Sequence, residues 1–217
     1  MKLDRLKSAA VTAFHDHCLG LADWPQAAQT APPALPAGEP ADAAWPWILA
    51  NHRYNCSLWN EEDLARRTRA ADAEIAQNKR AIDRFNQARN DAMERIDDVI
   101  LKLTADWPRA SAPRLSSETA GAMIDRLSIL SLKIHHMGLQ TVRTDVDEAH
   151  RVTTRAKRDQ LQQQRSDLAS CLDRLLDEIE AGTGYFKIYR QFKMYNDPSL
   201  NPALVAEQRQ VGAASAG

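Results

Sequence analysis

The sequence predicts an all-α protein: an antiparallel bundle of long helices with an N-terminal helical arm and a short aromatic helix near the C-terminus. Three observations carry this expectation. The stretch from Trp59 to Leu103 holds neither Pro nor Gly and is dense in strong helix formers. Apolar residues recur at three- and four-residue steps along most of the chain, without the alternation of β-strands. Gly is scarce, at 8 of 217 residues, and aromatics are 6%, whereas a sandwich or barrel needs many turns and strand-forming runs.

Composition narrows the function classes. Hydrophobic residues are 44% and charged residues 26%, enough apolar material for a sizeable core. A net charge of -1 supplies no basic field to draw nucleic acid or anionic lipid. Cys18, Cys56 and Cys171 lie far apart with no CxxC, which argues for a reducing compartment and against a disulfide framework. Residues 1–20 carry charges inside their apolar pattern, unlike a signal peptide. No run approaches the ~18 apolar residues of a membrane span. A cytoplasmic protein is expected.

Each element follows from its own spacing. Leu3, Leu6, Ala10, Ala13 and Phe14 predict an amphipathic helix over 2–18, ended by Gly20. Six Pro or Gly residues between Pro25 and Pro40 make 21–41 a linker. The next helix starts near Trp45–Pro46, with Asp42 as its cap. Trp45, Ile48, His52, Asn55, Trp59, Glu62 and Arg66 share one face of it. From Trp59 one helix of about 45 residues is the simplest reading, long by the usual standard; a break near Trp59–Asn60 is the alternative. Its core stripe is Ile75, Ile82, Phe85, Met93, Ile96, Ile100 and Leu103. A loop over 105–116 follows, then a helix capped by Ser116 and Ser117 and running to about Gly138. That helix has a stripe of Met123, Leu127, Leu130, Ile134 and Met137. On its other side lie Glu118, Asp125, Ile129, Leu132 and His136, so it should be central. Residues 142–181 predict a last long helix on Leu161, Leu168, Leu172, Leu175 and Ile179, stopped by Gly182 and Gly184. Tyr185, Tyr189 and Phe192 suit one face of a short helix. The division is 1–41 arm and linker, 42–203 bundle, 204–217 disordered tail.

Four blocks of sequence resemble a bacterial family catalogued as a domain of unknown function, number 4254. They are NCSLWNEEDLAR (Asn55–Arg66), KRAIDRFNQARND (Lys79–Asp91), SETAGAMIDRLSILSLKIHHM (Ser117–Met137) and QFKMYNDPSLNP (Gln191–Pro202), within 45–203. One departure is Asn60, where the family pattern has His. The resemblance implies an all-α fold and a bacterial cytosolic protein. It also implies a setting beside glycosyltransferases and cell-surface polysaccharide enzymes, without naming an activity.

The candidate site lies where the two long faces meet. Lys79, Asp83, Asn86, Asn90, Glu94 and Asp97 form a narrow stripe mixing amides with charges. If sheltered, such groups must bond one another or a ligand. The pocket is expected from Asn55, Trp59, Glu62, Arg66, Lys79, Asp83, Asn86, Asn90 and Glu94 on one side. Glu118, Asp125, Arg126, Lys133 and His136 stand opposite, with Lys193, Tyr195 and Asn196 closing it. The ligand would be a sugar or sugar phosphate; the alternative is an inter-helix network that fixes register. No catalytic residue is assigned and no cofactor expected. An alternative places Mg²⁺ on Glu62, Asp63, Glu94 and Asp97, as in nucleotide pyrophosphatases of the MazG type, although Ala65 replaces the third acid of their first motif. Asp147-x-x-His150 stands alone and His15-Asp16 lacks companions, so di-iron and HD-type readings fail. Three functions remain open. The first is an accessory binding protein of surface-glycan or lipopolysaccharide assembly, partnering a glycosyltransferase or sugar nucleotide. The second is a Mg²⁺-dependent phosphohydrolase of nucleotides or nucleotide sugars. The third is a structural scaffold. Long exposed seams favour a homodimer, and neither nucleic acid nor a membrane span is expected.

Overall fold

The structure is a computed structural model that describes residues 2–26, 36–189 and 199–206. Among these residues the fold is helical, with α1 (Ser8–Leu19), α2 (Trp45–Ala65), α3 (Asp72–Leu103), α4 (Ala120–Thr141) and α5 (Glu148–Glu180). Two-residue strands β1 (Arg114–Leu115) and β2 (Gly184–Tyr185) pair in parallel, Arg114 opposite Gly184. Met1–Lys187 forms one compact unit and Ile188–Gly217 a second. No helix among the described residues is long and apolar enough to cross a membrane.

The expected 45-residue rod is instead a hairpin. α2 ends at Ala65, residues 66–71 turn the chain, and α3 returns antiparallel. Glu61 meets Asn78, Tyr54 meets Phe85, and Trp47 meets Arg95. No Gly or Pro marks this turn. Arg67 satisfies it, donating from Nε to the Leu64 carbonyl at 2.9 Å and reaching Glu74 at 3.7 Å. The driving force is burial: a straight rod would leave Ile48, Leu58, Ile82 and Ile96 in water, at roughly 25 cal/mol per Å². In the hairpin all four are buried.

α4 touches α1, α2, α3 and α5, as its two-sided apolar pattern predicts. Its start differs from the expectation. Thr119, not Ser116 or Ser117, is the cap, its hydroxyl accepting from the Ala122 amide at 3.1 Å. Gly121 lets α4 approach α3 closely: a Cβ there would sit 2.5 Å from the Met93 carbonyl. The helix also runs past Gly138 to Thr141. Its buried stripe is Ile124, Leu127, Ser128, Ser131 and Leu132, while Leu130, Ile134 and Met137 are half-buried.

α5 begins only at Glu148, because Asp147 caps it, accepting from the His150 amide at 2.7 Å. The Asp147-x-x-His150 pattern is therefore a helix start. Gly182, at φ +70°, ends α5 in the left-handed region that favours glycine. Beyond it, Tyr185 lies in β2 and residues 186–189 are irregular, so the aromatic segment does not open as a helix. Phe192 lies outside the described residues. At the other end, a 3₁₀ turn at Asp4–Leu6 shifts the register of α1. The buried face becomes Ser8, Val11, His15 and Cys18, and Ala10 and Ala13 are exposed. α1 seats on α4 and α5, with Ser8 on Asp173, Lys7 on Asp177 and Asp16 on Arg165. Asp42 serves a short 3₁₀ segment, Pro40–Ala44, that runs directly into α2. Residues 202–206 are helical although the tail is expected from 204, and residues 207–217 lie outside the described residues.

Candidate functional site

A layer of buried amides joins α2 to α4. Asn51, His52 and Asn55 lie one turn apart on α2; Asp125 and Ser128 lie one turn apart on α4. Asn51 and Asn55 donate to Asp125 Oδ1 at 2.8 and 3.0 Å. Asn55 also reaches Ser128 Oγ at 3.0 Å and Asn51 Oδ1 at 3.3 Å. Ser128 Oγ stands 2.8 Å from His52 Nδ1. All five are buried, so each bond replaces one to water, as a dry interior demands.

An aromatic and sulfur layer backs this network. His15 stacks on His52 at 4.5 Å, and Trp24 stacks on it at 5.7 Å. Trp24 Nε1 donates to Cys56 Sγ at 3.1 Å. Burial pulls His52 down to about 3 and His15 well below the imidazole range, so both rings are neutral. Burial pushes the Cys18 and Cys56 thiols up to about 12, which keeps them protonated and inert.

Outward of the amides lies a cleft of about 360 Å³, bounded by Asn55, Trp59, Glu62, Arg66, Asn86, Arg89 and Lys133. A second cleft, of about 560 Å³, continues from it past Asp63, His136 and Gln140. The two share Trp59, Asp63 and Lys133. At their junction the Trp59 indole and His136 imidazole lie parallel, 4.4 Å apart and tilted by only 3°. Both rings remain half-buried. Burial, and then the neighbouring His135, lower the His136 pKa, against the pull of Asp63. A neutral, fixed platform results, with an ion pair (Glu62–Arg66, 3.1 Å) and a lysine at its rim.

The structure thus brings together Asn55, Trp59, Glu62, Arg66, Asn86, Lys133 and His136, with Asp125 one layer beneath. It separates the others. Lys79 and Asp83 pair at 2.6 Å on the exposed surface of α3, because only one side of that helix faces α2 and α4. Asn90 is half-buried and accepts from Arg89 at 3.4 Å; Glu94 is half-buried outside the lining. Glu118 and Arg126 pair at 2.6 Å and border a third cleft, of about 990 Å³, between α4 and α5; Lys133 borders that one too. Lys193, Tyr195 and Asn196 lie outside the described residues.

The proposed Mg²⁺ ligands do not converge. Glu62 and Asp63 sit where α2 turns into α3, and Glu94 and Asp97 near the far end of the hairpin. At 1.5 Å per residue that is on the order of 25 Å. Asp97 instead accepts from the Gly121 amide at 2.6 Å, inside the start of α4. No three of the described His, Cys, Asp and Glu residues could hold a metal ion together. Sequence reasoning missed Asn51, Ser128 and Arg89 as parts of the site. The i, i+4 pairing of Asn51 with Asn55 was the available signal; nothing in sequence distinguished Arg89 from other surface arginines.

The family model described as "Protein of unknown function (DUF4254)" matches residues 45–188. The chain belongs to this family. No curated protein and no solved structure matches it. The DUF4254 region runs from the start of α2 through β2 and so contains the amide layer and both confluent clefts. It leaves out α1, although His15 of α1 stacks on His52 inside that region.

Proposed function

We propose that this DUF4254 protein is a non-catalytic binding protein for a sugar-like ligand, acting as an accessory to a glycosyltransferase in bacterial surface-glycan assembly in the cytoplasm. The Trp59–His136 stack carries the reading. A sugar ring presents an apolar C–H face and a rim of hydroxyls. The first suits a flat, desolvated aromatic surface; the second needs fixed amides and carboxylates. Trp59 supplies the surface, and Asn86, Glu62, Asp63 and Gln140 supply the rim. The buried amides beneath hold α2 against α4, so the platform is set before any ligand arrives. Binding is favoured over phosphohydrolysis because the acids that hydrolysis would use lie at opposite ends of the hairpin.

Thermal shift of the full chain with glucose, glucose 1-phosphate and UDP-glucose, with and without Mg²⁺, tests the reading. A ligand of the native state raises the midpoint by mass action. The expected result is a metal-independent rise that Trp59→Ala removes. A rise that needs Mg²⁺, or one untouched by Trp59→Ala, contradicts it. The homodimer belongs to this proposal, with its seat at the α4–α5 tip, where Leu139, Val142 and Val152 are exposed. Sedimentation should give twice the chain mass, reduced to one by Leu139→Glu with Val142→Glu; a wild-type monomer contradicts it.

A further inference from the structure

We infer that the cleft among α2, α3 and α4 holds a phosphoryl oxyanion between Arg89 and Lys133, so that the ligand is a phosphorylated sugar; this rests on the ring-binding reading above. Arg89 is the main observation. Its side chain lines the cleft and keeps 25% of its surface exposed. The nearest acid is Asp125, 3.8 Å from Nε, a charge contact too long for a hydrogen bond. Asp125 Oδ1 already accepts from Asn51 and Asn55. Arg89 Nε is buried without an acceptor, and Nη2 reaches only Asn90 Oδ1, at 3.4 Å. A guanidinium has five donors in a fixed fork, so this one is held from behind and left largely unbonded.

Lys133 meets the same cleft from α4 and forms no ion pair among the described residues. The lining carries three cations, Arg66, Arg89 and Lys133, against two acids, Glu62 and Asp63. Arg66 engages both acids, at 3.1 and 3.6 Å, which leaves Arg89 and Lys133 facing the cleft without competition from them. A planar fork opposite a mobile ammonium is a chemistry suited to phosphate oxygens. Trp59 borders the same cleft, so ring and phosphoryl group can be held at once. A sugar 1-phosphate and a nucleotide sugar share this chemistry.

NMR of the full chain separates the two parts of the site, with Trp59 Nε1–H reporting the platform and the Arg89 guanidinium N–H groups the oxyanion. Inorganic phosphate should move the Arg89 signal and leave Trp59 in place; glucose should do the reverse; glucose 1-phosphate should move both. Comparison of UDP-glucose with glucose 1-phosphate decides which source binds more tightly. Arg89→Gln should weaken glucose 1-phosphate roughly tenfold, the size of one lost charge-assisted bond, without changing glucose binding. Lys133 is exposed, so Lys133→Gln gives the same test in a variant that leaves the core intact. The inference is overturned if no phosphate-bearing probe moves Arg89, or if both variants bind glucose 1-phosphate like the wild type. Glucose still moving Trp59 would then leave the platform standing. Phosphate moving Arg89 while no sugar moves Trp59 would sink the platform and keep the oxyanion subsite.

Discussion

Asp125 and Asp97 are both buried carboxylates on the inner face of the bundle, and their surroundings give them opposite characters. Asp125 has two amide donors and a guanidinium near it, and its removal would take from Asn51, Asn55 and Arg89 the carboxylate they share. Asp125→Ala should therefore cost about 3–5 kcal/mol in urea unfolding at neutral pH. Asp125→Asn, which retains an acceptor, should cost less. Asp97 has no cation beside it among the described residues. Burial raises its pKa from 3.8 to about 7, against the bonds from Thr119 and the Gly121 amide, and Asp98 and Glu94 add to the rise. A group whose folded pKa is raised contributes fully below its unfolded value, and the contribution fades as pH climbs through the folded one. Stability should thus fall between about pH 4 and pH 7 through Asp97. Asp97→Asn should flatten that slope and stabilise the protein at about pH 8, on the order of a few kcal/mol. Denaturant midpoints across pH would show it; an unchanged slope would mean that Asp97 ionises freely. The sequence placed Asp97 in a polar stripe but could not show this role. Its partner is the backbone of Gly121, in a different helix, and an amide donor leaves no trace in residue type.

At the scale of elements, two glycines of the same helix should respond oppositely to alanine. Gly121 touches the Met93 carbonyl and the Asp97 carboxylate, where a Cβ would lie at 2.5 and 2.9 Å, whereas nothing stands within 4 Å of one at Gly138. Gly121→Ala should destabilise by about 1–3 kcal/mol through overpacking. Gly138→Ala should stabilise by about 0.5–1 kcal/mol, since alanine is the better helix former in open space. Thermal unfolding of the two variants checks both signs. Helix existence was legible where apolar spacing was regular: α4 as the central helix, α2 starting at Trp45, α5 on its leucine seam. The turn at 66–71 was not, because Arg66–Ala71 are all acceptable helix residues. Only the burial gained by folding α3 back on α2 breaks the rod, and that gain is tertiary. For the same reason Lys79 and Asp83 looked like site residues. They share a stripe with Asn86, but they pair at the surface of α3 rather than on the cleft.

In the compact unit Met1–Lys187, two antiparallel hairpins, α2–α3 and α4–α5, enclose a core of Ile96, Ile100, Ile124, Leu127, Leu172 and Leu176. α1 braces the second hairpin through Ser8, Lys7 and Asp16. The cleft opens where the first hairpin meets the outer side of α4, so its walls are rigid elements and its floor is the amide layer. Seven of the fourteen expected site residues that are described reached this place because they lay on faces that the apolar pattern had already fixed. Asn55, Trp59 and Glu62 follow Ile48 on α2, and Lys133 and His136 follow Ile129 on α4. The Trp59–His136 platform is the proposed seat of a sugar ring. A structure of the full chain crystallised with glucose 1-phosphate tests that seat most directly. The ring should lie against Trp59 with the phosphoryl group toward Arg89 and Lys133. Sugar bound instead in the α4–α5 groove beside Arg114 and Arg174, with the Trp59 surface bare, would contradict it.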